Sequence, residues 1–251
     1  MRYNELNINK LSYYPCRNSG RDKVLKDSIP CSQEDWKIVE NLLNQFFDMQ
    51  LCHVKLANIS LKDVNDVKRR TEEFAMDVDT FEADIKAYKD KFHELQKTTK
   101  NIDEFEQKFQ EYVDADAKAH DGTLEDGEKT LQQEKRTLDS AYSYNKVSLQ
   151  KENKLWNEYL AAKQKLEAYE EKVKDTKVFK TYGTAIVPTE VYADTRQAFQ
   201  SHKHFDEYRK IDEQGRALFE QACDRQLGAK QELKTVNAEI TTFKQVSRER
   251  A

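Results

Sequence analysis

The sequence predicts an all-α protein: an elongated antiparallel bundle of three long, coiled-coil-like helices of about 60 residues each, preceded by a shorter apolar helix and an irregular N-terminal arm. Three observations carry this. The chain is 35% charged and 37% hydrophobic, where a compact domain holds ~45–50% apolar residues. So small an apolar share fits helices that each bury one stripe. Six Gly and three Pro in 251 residues leave little turn material, which excludes an all-β or loop-rich α/β fold. Finally, Phe74, Val78, Phe81, Ile85, Tyr88, Phe92 and Leu95 alternate steps of four and three with polar residues between them, a heptad seam. Low hydropathy alone would also fit disorder, but twelve Phe and twelve Tyr, many at helical spacing, argue for a packed core.

Residues 1–31 read as an irregular arm, broken at Pro15 and Pro30 with a turn at Asn18-Ser19-Gly20. The remainder, 32–251, reads as the helical bundle. Ser32 followed by Asp35 marks a helix start, and the helix at 33–59 is apolar over more than one stripe. Such a helix needs cover from more than one side. Trp36, Val39, Leu43, Phe46, Phe47 and Leu51 are therefore the expected partner interface, toward other proteins or a second copy. Asn58 to Asp63 carries capping signals that place a break before the next helix.

The second helix is expected over 61–120. Its seam skips a residue near Ile102 and Phe105, which marks a joint, and Asn101 with Glu104 suits a restart. Asp121-Gly122-Thr123 ends it, with Gly122 as the left-handed stop, making 100–121 a tip between antiparallel neighbours. The third helix, 124–181, carries Asn145 and Glu152 as polar interruptions able to fix register. A connector from Tyr182 to Pro188 leads to Thr189, the expected cap of a last helix over 189–249 that contains Gly215 and Gly228. Segments 61–121, 124–181 and 189–249 match in length, about 90 Å each at ~1.5 Å per residue, and short connectors make neighbours antiparallel. Glu82/Lys86, Glu104/Lys108, Glu170/Lys174 and Asp212/Arg216 read as exposed supporting pairs.

No motif with catalytic chemistry emerges. Asp114, Asp116 and Glu125 fall at positions 1, 3 and 12 of a calcium-loop template, but Lys118 and Ala119 stand where a ligand and the turn glycine belong. His202 and His204 are two apart, so on a helix they diverge, and no carboxylate or Cys completes a zinc set. Cys52 adjoins His53, yet adjacent helical side chains point ~100° apart. The Asn58-Ile59-Ser60 sequon reads as a helix cap. The expectation is no enzyme, no metal and no cofactor.

A net charge of −4 gives no reason to expect nucleic acid. Without an apolar run of ~18 residues or a signal-peptide core, and with four scattered Cys, a cytoplasmic protein with reduced thiols is expected. The function that follows is a structural or interaction protein, a coiled-coil rod serving as scaffold or spacer in a larger, cytoskeleton-like assembly. Three long helices joined to an apolar helix also resemble the architecture of BAR domains, which implies a curved, membrane-binding dimer. Against that, residues 100–121 hold three basic and seven acidic residues and 124–180 hold twelve and eleven. Only Lys172, Lys174, Lys177 and Lys180 gather as a basic tip suited to anionic lipid. A secreted helical virulence or tip protein is a third expectation of the same architecture.

Overall fold

The structure, a computed structural model, describes residues 32–186 and 190–249, with side chains for 32–181 and 202–249. The expected arm at 1–31, with Cys16 and Cys31, and the expected cap Thr189 lie outside the described residues. Every regular element among the described residues is a helix: α1 (Gln33–Ala57), α2 (Val64–Thr98), α3 (Ile102–Ala119), α4 (Leu124–Val173), α5 (Lys177–Ile186) and α6 (Glu190–Glu249).

Local chemistry places the ends where the side chains predict them. Ser32 Oγ accepts from the Asp35 amide at 3.1 Å and opens α1. Asp63 accepts from the Asn65 and Asp66 amides and opens α2. Asn101 Oδ1 takes the Glu104 amide at 2.9 Å while the Glu104 carboxylate takes the Lys100 amide at 3.0 Å, a reciprocal cap for α3. Thr123 and Asp126 do the same for α4. The Lys129 ammonium and the Thr123 hydroxyl hold the exposed Asp126 carboxyl down to about 2. At 174–176 the chain breaks without Gly or Pro; Thr176 Oγ1 caps α5 by accepting from the Phe179 amide.

The chain forms two compact units, each built from two stretches: the described part of Met1–Leu61 with Lys146–Tyr208, and Lys62–Asn145 with Arg209–Ala251. In the first unit α1 runs antiparallel to the end of α4, with Asn41 near Tyr169 and Cys52 in the field of Glu158. Helix α5 folds back onto α1. Trp36, Val39, Leu42, Leu43, Phe46, Met49 and Leu56 of α1 meet Leu155, Trp156, Tyr159, Leu166 and Val173 of α4 and Val178 of α5 in one core.

The second unit corrects the expected second helix. Residues 61–120 form two helices, α2 and α3, and the chain reverses between them at 99–101. Tyr88 meets Phe109 and Phe92 meets Phe105, so α3 runs antiparallel to α2. Helix α4 does so as well, since Phe81 lies under Gly127 and Thr71 bonds Tyr142. Helices α3 and α4 therefore follow one another down the same side of α2. The stretch 120–123 is a sidestep between them, and the tip lies at 99–101 rather than at 121. The skipped residue marked the right place, but the capping pair turns a joint into a reversal. The left-handed helical conformation of the sidestep falls on Asp121 (φ 54), and Gly122 follows it with a positive φ of 159 that L side chains rarely adopt. The Gly122 amide donates to the Ala117 carbonyl in the usual pattern for such a stop. Similarly, 124–181 divides at 174–176, and Tyr182–Ile186 is helical where a connector was expected.

Helix α6 runs parallel to α2 here: Phe219 lies against Phe74, Arg225 against Glu82, and Phe243 against Phe92. The heptad seam is buried inside the chain. Phe74, Val78, Phe81, Ile85, Phe92 and Leu95 are all core, shared between one cluster with α4 and α6 and a second with α3 and the end of α6. Of the pairs read as exposed, Asp212/Arg216 is a correction. Asp212 is buried, and Arg216 donates both to it and to the Tyr142 carbonyl of α4. A further polar link runs from Tyr142 Oη to Thr71 Oγ1 at 2.8 Å. Gly215 allows this layer to close, because a Cβ added there would collide with the Tyr142 hydroxyl.

Candidate functional site

Helix α1 holds the residues expected to form a partner interface. Trp36, Val39, Leu43 and Phe46 are buried in the core of the first unit, while Phe47 and Leu51 are partly buried. The broad apolar face is covered within the chain, since both α4 and α5 contribute to the core that α1 enters. Phe47 packs on the edge of the same core and stands 5.8 Å from the Phe46 ring.

The second unit carries a cleft of about 330 Å³ at the sidestep between α3 and α4. Phe81, Leu124 and Leu131 supply apolar lining; Asp77, Asp84, Asp116, Asp126, Glu134 and His120 supply the polar lining. Desolvation, together with the neighbouring Asp77 carboxylate, raises the Glu134 carboxyl. Burial likewise raises Asp77 and Asp84. His120 is 3.8 Å from Asp84 and 3.4 Å from Asp116. Chemically this is a surface of negative potential with an apolar floor. Among the described residues, no three His, Cys, Asp or Glu side chains converge in a geometry able to hold a metal ion. The calcium-like segment begins inside α3 rather than in a loop: Asp114 accepts from Gln110 one turn earlier.

His202 and His204 separate as expected for a helix, but His202 is half-buried rather than freely exposed. Its Nδ1 lies 2.7 Å from Oε1 of the fully buried Glu152, and its ring stacks on Trp156 with centroids 4.1 Å apart. His204 stays exposed beside Glu207. Cys52 is half-buried, and burial followed by the Glu158 carboxylate pushes its thiol up, which disfavours the reactive thiolate. Asn58 is the C-cap of α1, its side-chain amide donating to the Val54 carbonyl at 2.8 Å.

Asn145 gives its seam position a specific task. It is fully buried, Oδ1 accepts from the Lys62 amide at 2.8 Å, and Nδ2 donates to the Lys62 carbonyl at 3.4 Å. One side chain thus satisfies both backbone groups of a residue in the non-helical joint between α1 and α2. The sequence flags Asn145 and Glu152 as polar residues in an apolar seam. It carries no signal for Lys62 or His202, their partners 83 and 50 residues away. No protein-family model, curated protein or solved structure matches this chain. Among the described residues, no helix is long and apolar enough to cross a membrane.

Proposed function

We propose that the chain is a non-enzymatic structural or interaction protein: an elongated, coiled-coil-like three-helix rod that acts as scaffold or spacer in a larger cytoplasmic assembly. The observation that supports it is the reach of two helices. Helices α4 and α6 run 50 and 60 residues without a break, and each contributes residues to both compact units. At 1.5 Å per residue α6 alone is about 90 Å long, whereas a compact 251-residue globule has a radius of gyration of about 18 Å. A helix of that length inside so small a globule would have to project from it.

Small-angle scattering tests the reading. A radius of gyration well above ~18 Å, set by the ~90 Å helix, is the expected result; a value near the compact figure rejects the rod. Partner capture is tested by deleting residues 1–31 alone. A deletion to residue 60 would remove α1 and with it half of a core. Pelleting with anionic vesicles separates the scaffold from a membrane-binding dimer. Ion pairs already engage Lys174 with Glu171 and Lys180 with Asp175 at the basic tip, so no salt-sensitive binding is expected.

A further inference from the structure

Two stripes of side chains face each other across the cleft at the sidestep of the second unit. On α2, Asp77, Thr80, Phe81 and Asp84 fall at i, i+3, i+4 and i+7, and on α4, Gly127, Thr130, Leu131 and Glu134 repeat that spacing. The two helices are antiparallel, so Asp77 meets Glu134 at one end, where it adds to the desolvation that raises the Glu134 carboxyl. At the other end Asp84 meets Asp116 and His120 at the close of α3. Phe81 lies between these two carboxylate poles. Gly127 leaves its ring uncovered, since a Cβ there would rest 3.7 Å from it.

The poles carry unmatched negative charge. Among the described residues no Lys or Arg lines the cleft. Lys129 is held at the rim by Asp126, and Arg70 acts on Glu134 only through its field. Oε2 of Glu134 is closed to solvent and has no hydrogen-bond partner, an arrangement that costs free energy until a donor arrives. Desolvation raises Asp77 and Asp84 as well. Thr80 and Thr130 donate their hydroxyls to the Met76 and Asp126 carbonyls, so toward the groove they can only accept. The cleft therefore asks for donors at both ends and apolar surface between them. Asp77 and Asp84, seven residues apart, stand about 10 Å from each other along the helix.

We propose that this cleft binds a linear aliphatic polyamine, with one terminal ammonium between Asp77 and Glu134, the other between Asp84 and Asp116, and its methylenes over Phe81 and Leu131. Three bonds of an extended chain advance about 3.8 Å, so the nine bonds between the terminal nitrogens of spermidine span about 11 Å. That length matches the separation of the poles. The site lies beyond the rod reading and does not rest on it, so a compact scattering shape would leave it standing.

Calorimetric titration of the full chain with spermidine, at constant ionic strength, tests the assignment. Octamethylenediamine has the same nine bonds with charges only at its ends, and ethylenediamine is too short to bridge the poles. One-site binding of both long amines is expected. Glu134→Gln and Asp84→Asn should each weaken it roughly tenfold, the loss expected for one hydrogen bond to a charged group. Gly127→Leu, which fills the groove over Phe81 and leaves every carboxylate in place, should abolish it. Circular dichroism identifies the variants that keep their helices, and either the charge variants or the filled groove suffices for the test. Equal affinity for long and short amines, or unchanged binding in the folded variants, shows that amines merely screen an acidic surface and overturns the proposal. Absence of one-site binding to the parent chain overturns it as well.

Discussion

The two compact units bury their apolar residues in different ways. In the first, α1 is apolar over a broad arc because α4 and α5 both lie on it, and Leu42 and Leu43, adjacent in sequence, are both buried. In the second, α2 presents a narrow three–four stripe of Phe, Val and Ile, and buried polar ties accompany it. Thr71 bonds Tyr142, Arg216 joins Tyr142 to Asp212, and Asn145 holds Lys62. The width of an apolar face thus reports how many helices cover it, not whether the cover comes from outside the chain. A narrow seam has the complementary weakness. Heptad repeats look alike after a shift of seven residues, so buried polar ties are what distinguish one register from another.

The largest expected effect comes from the narrow seam itself. Phe74→Ala leaves a void beside Phe219 and Leu138 and should cost about 3–5 kcal/mol in denaturant unfolding. Phe46→Ala in the broad core should cost about as much by the same term. A much smaller loss there would show that α1 is loosely held and break the comparison.

Next is Gly215→Ala. Its methyl displaces the Tyr142 hydroxyl from Thr71, so a loss of about 1–3 kcal/mol is expected, partly offset by about 1 kcal/mol of helix propensity. Tyr142→Phe should remove most of the penalty in the double variant, and a penalty that persists would place the clash elsewhere. A smaller effect is expected from Glu134→Gln. The folded state raises this carboxyl through desolvation and then Asp77, so the ionised form is disfavoured and destabilises above the elevated pKa. The variant should melt higher than the parent at pH 7. The difference should vanish as pH falls below the ordinary carboxylate range, where both side chains are neutral. The smallest is Arg225→Ala, which breaks exposed pairs with Glu82 and Asp79. At most about 1 kcal/mol is expected, and less in high salt.

The helix starts were legible because caps are local. Ser32, Asp63 and Asn101 lie within three residues of the amides they bind. The seam was legible because its period is local too, and all but Tyr88 of its residues proved buried. Direction was not. The skipped residue near Ile102 signals a joint, but a bend and a full reversal differ only in where α3 finds its cover, and that is set by Tyr88 and Phe92 on α2. The acidic cleft was invisible for the same reason, since Asp77, Asp116 and Glu134 line one cleft only once α3 and α4 sidestep.

The sequence by itself determined that this protein is helical, where most helices begin, and which stripe of α2 is buried. Those properties follow from hydrogen bonds and side-chain periods that span a few residues. Tertiary structure alone decided the reversal at 99–101, the burial of Asp212, the Lys62 partner of Asn145 and the division into two units. Each depends on side chains dozens of residues apart, and a heptad seam constrains which face is covered without saying by which helix.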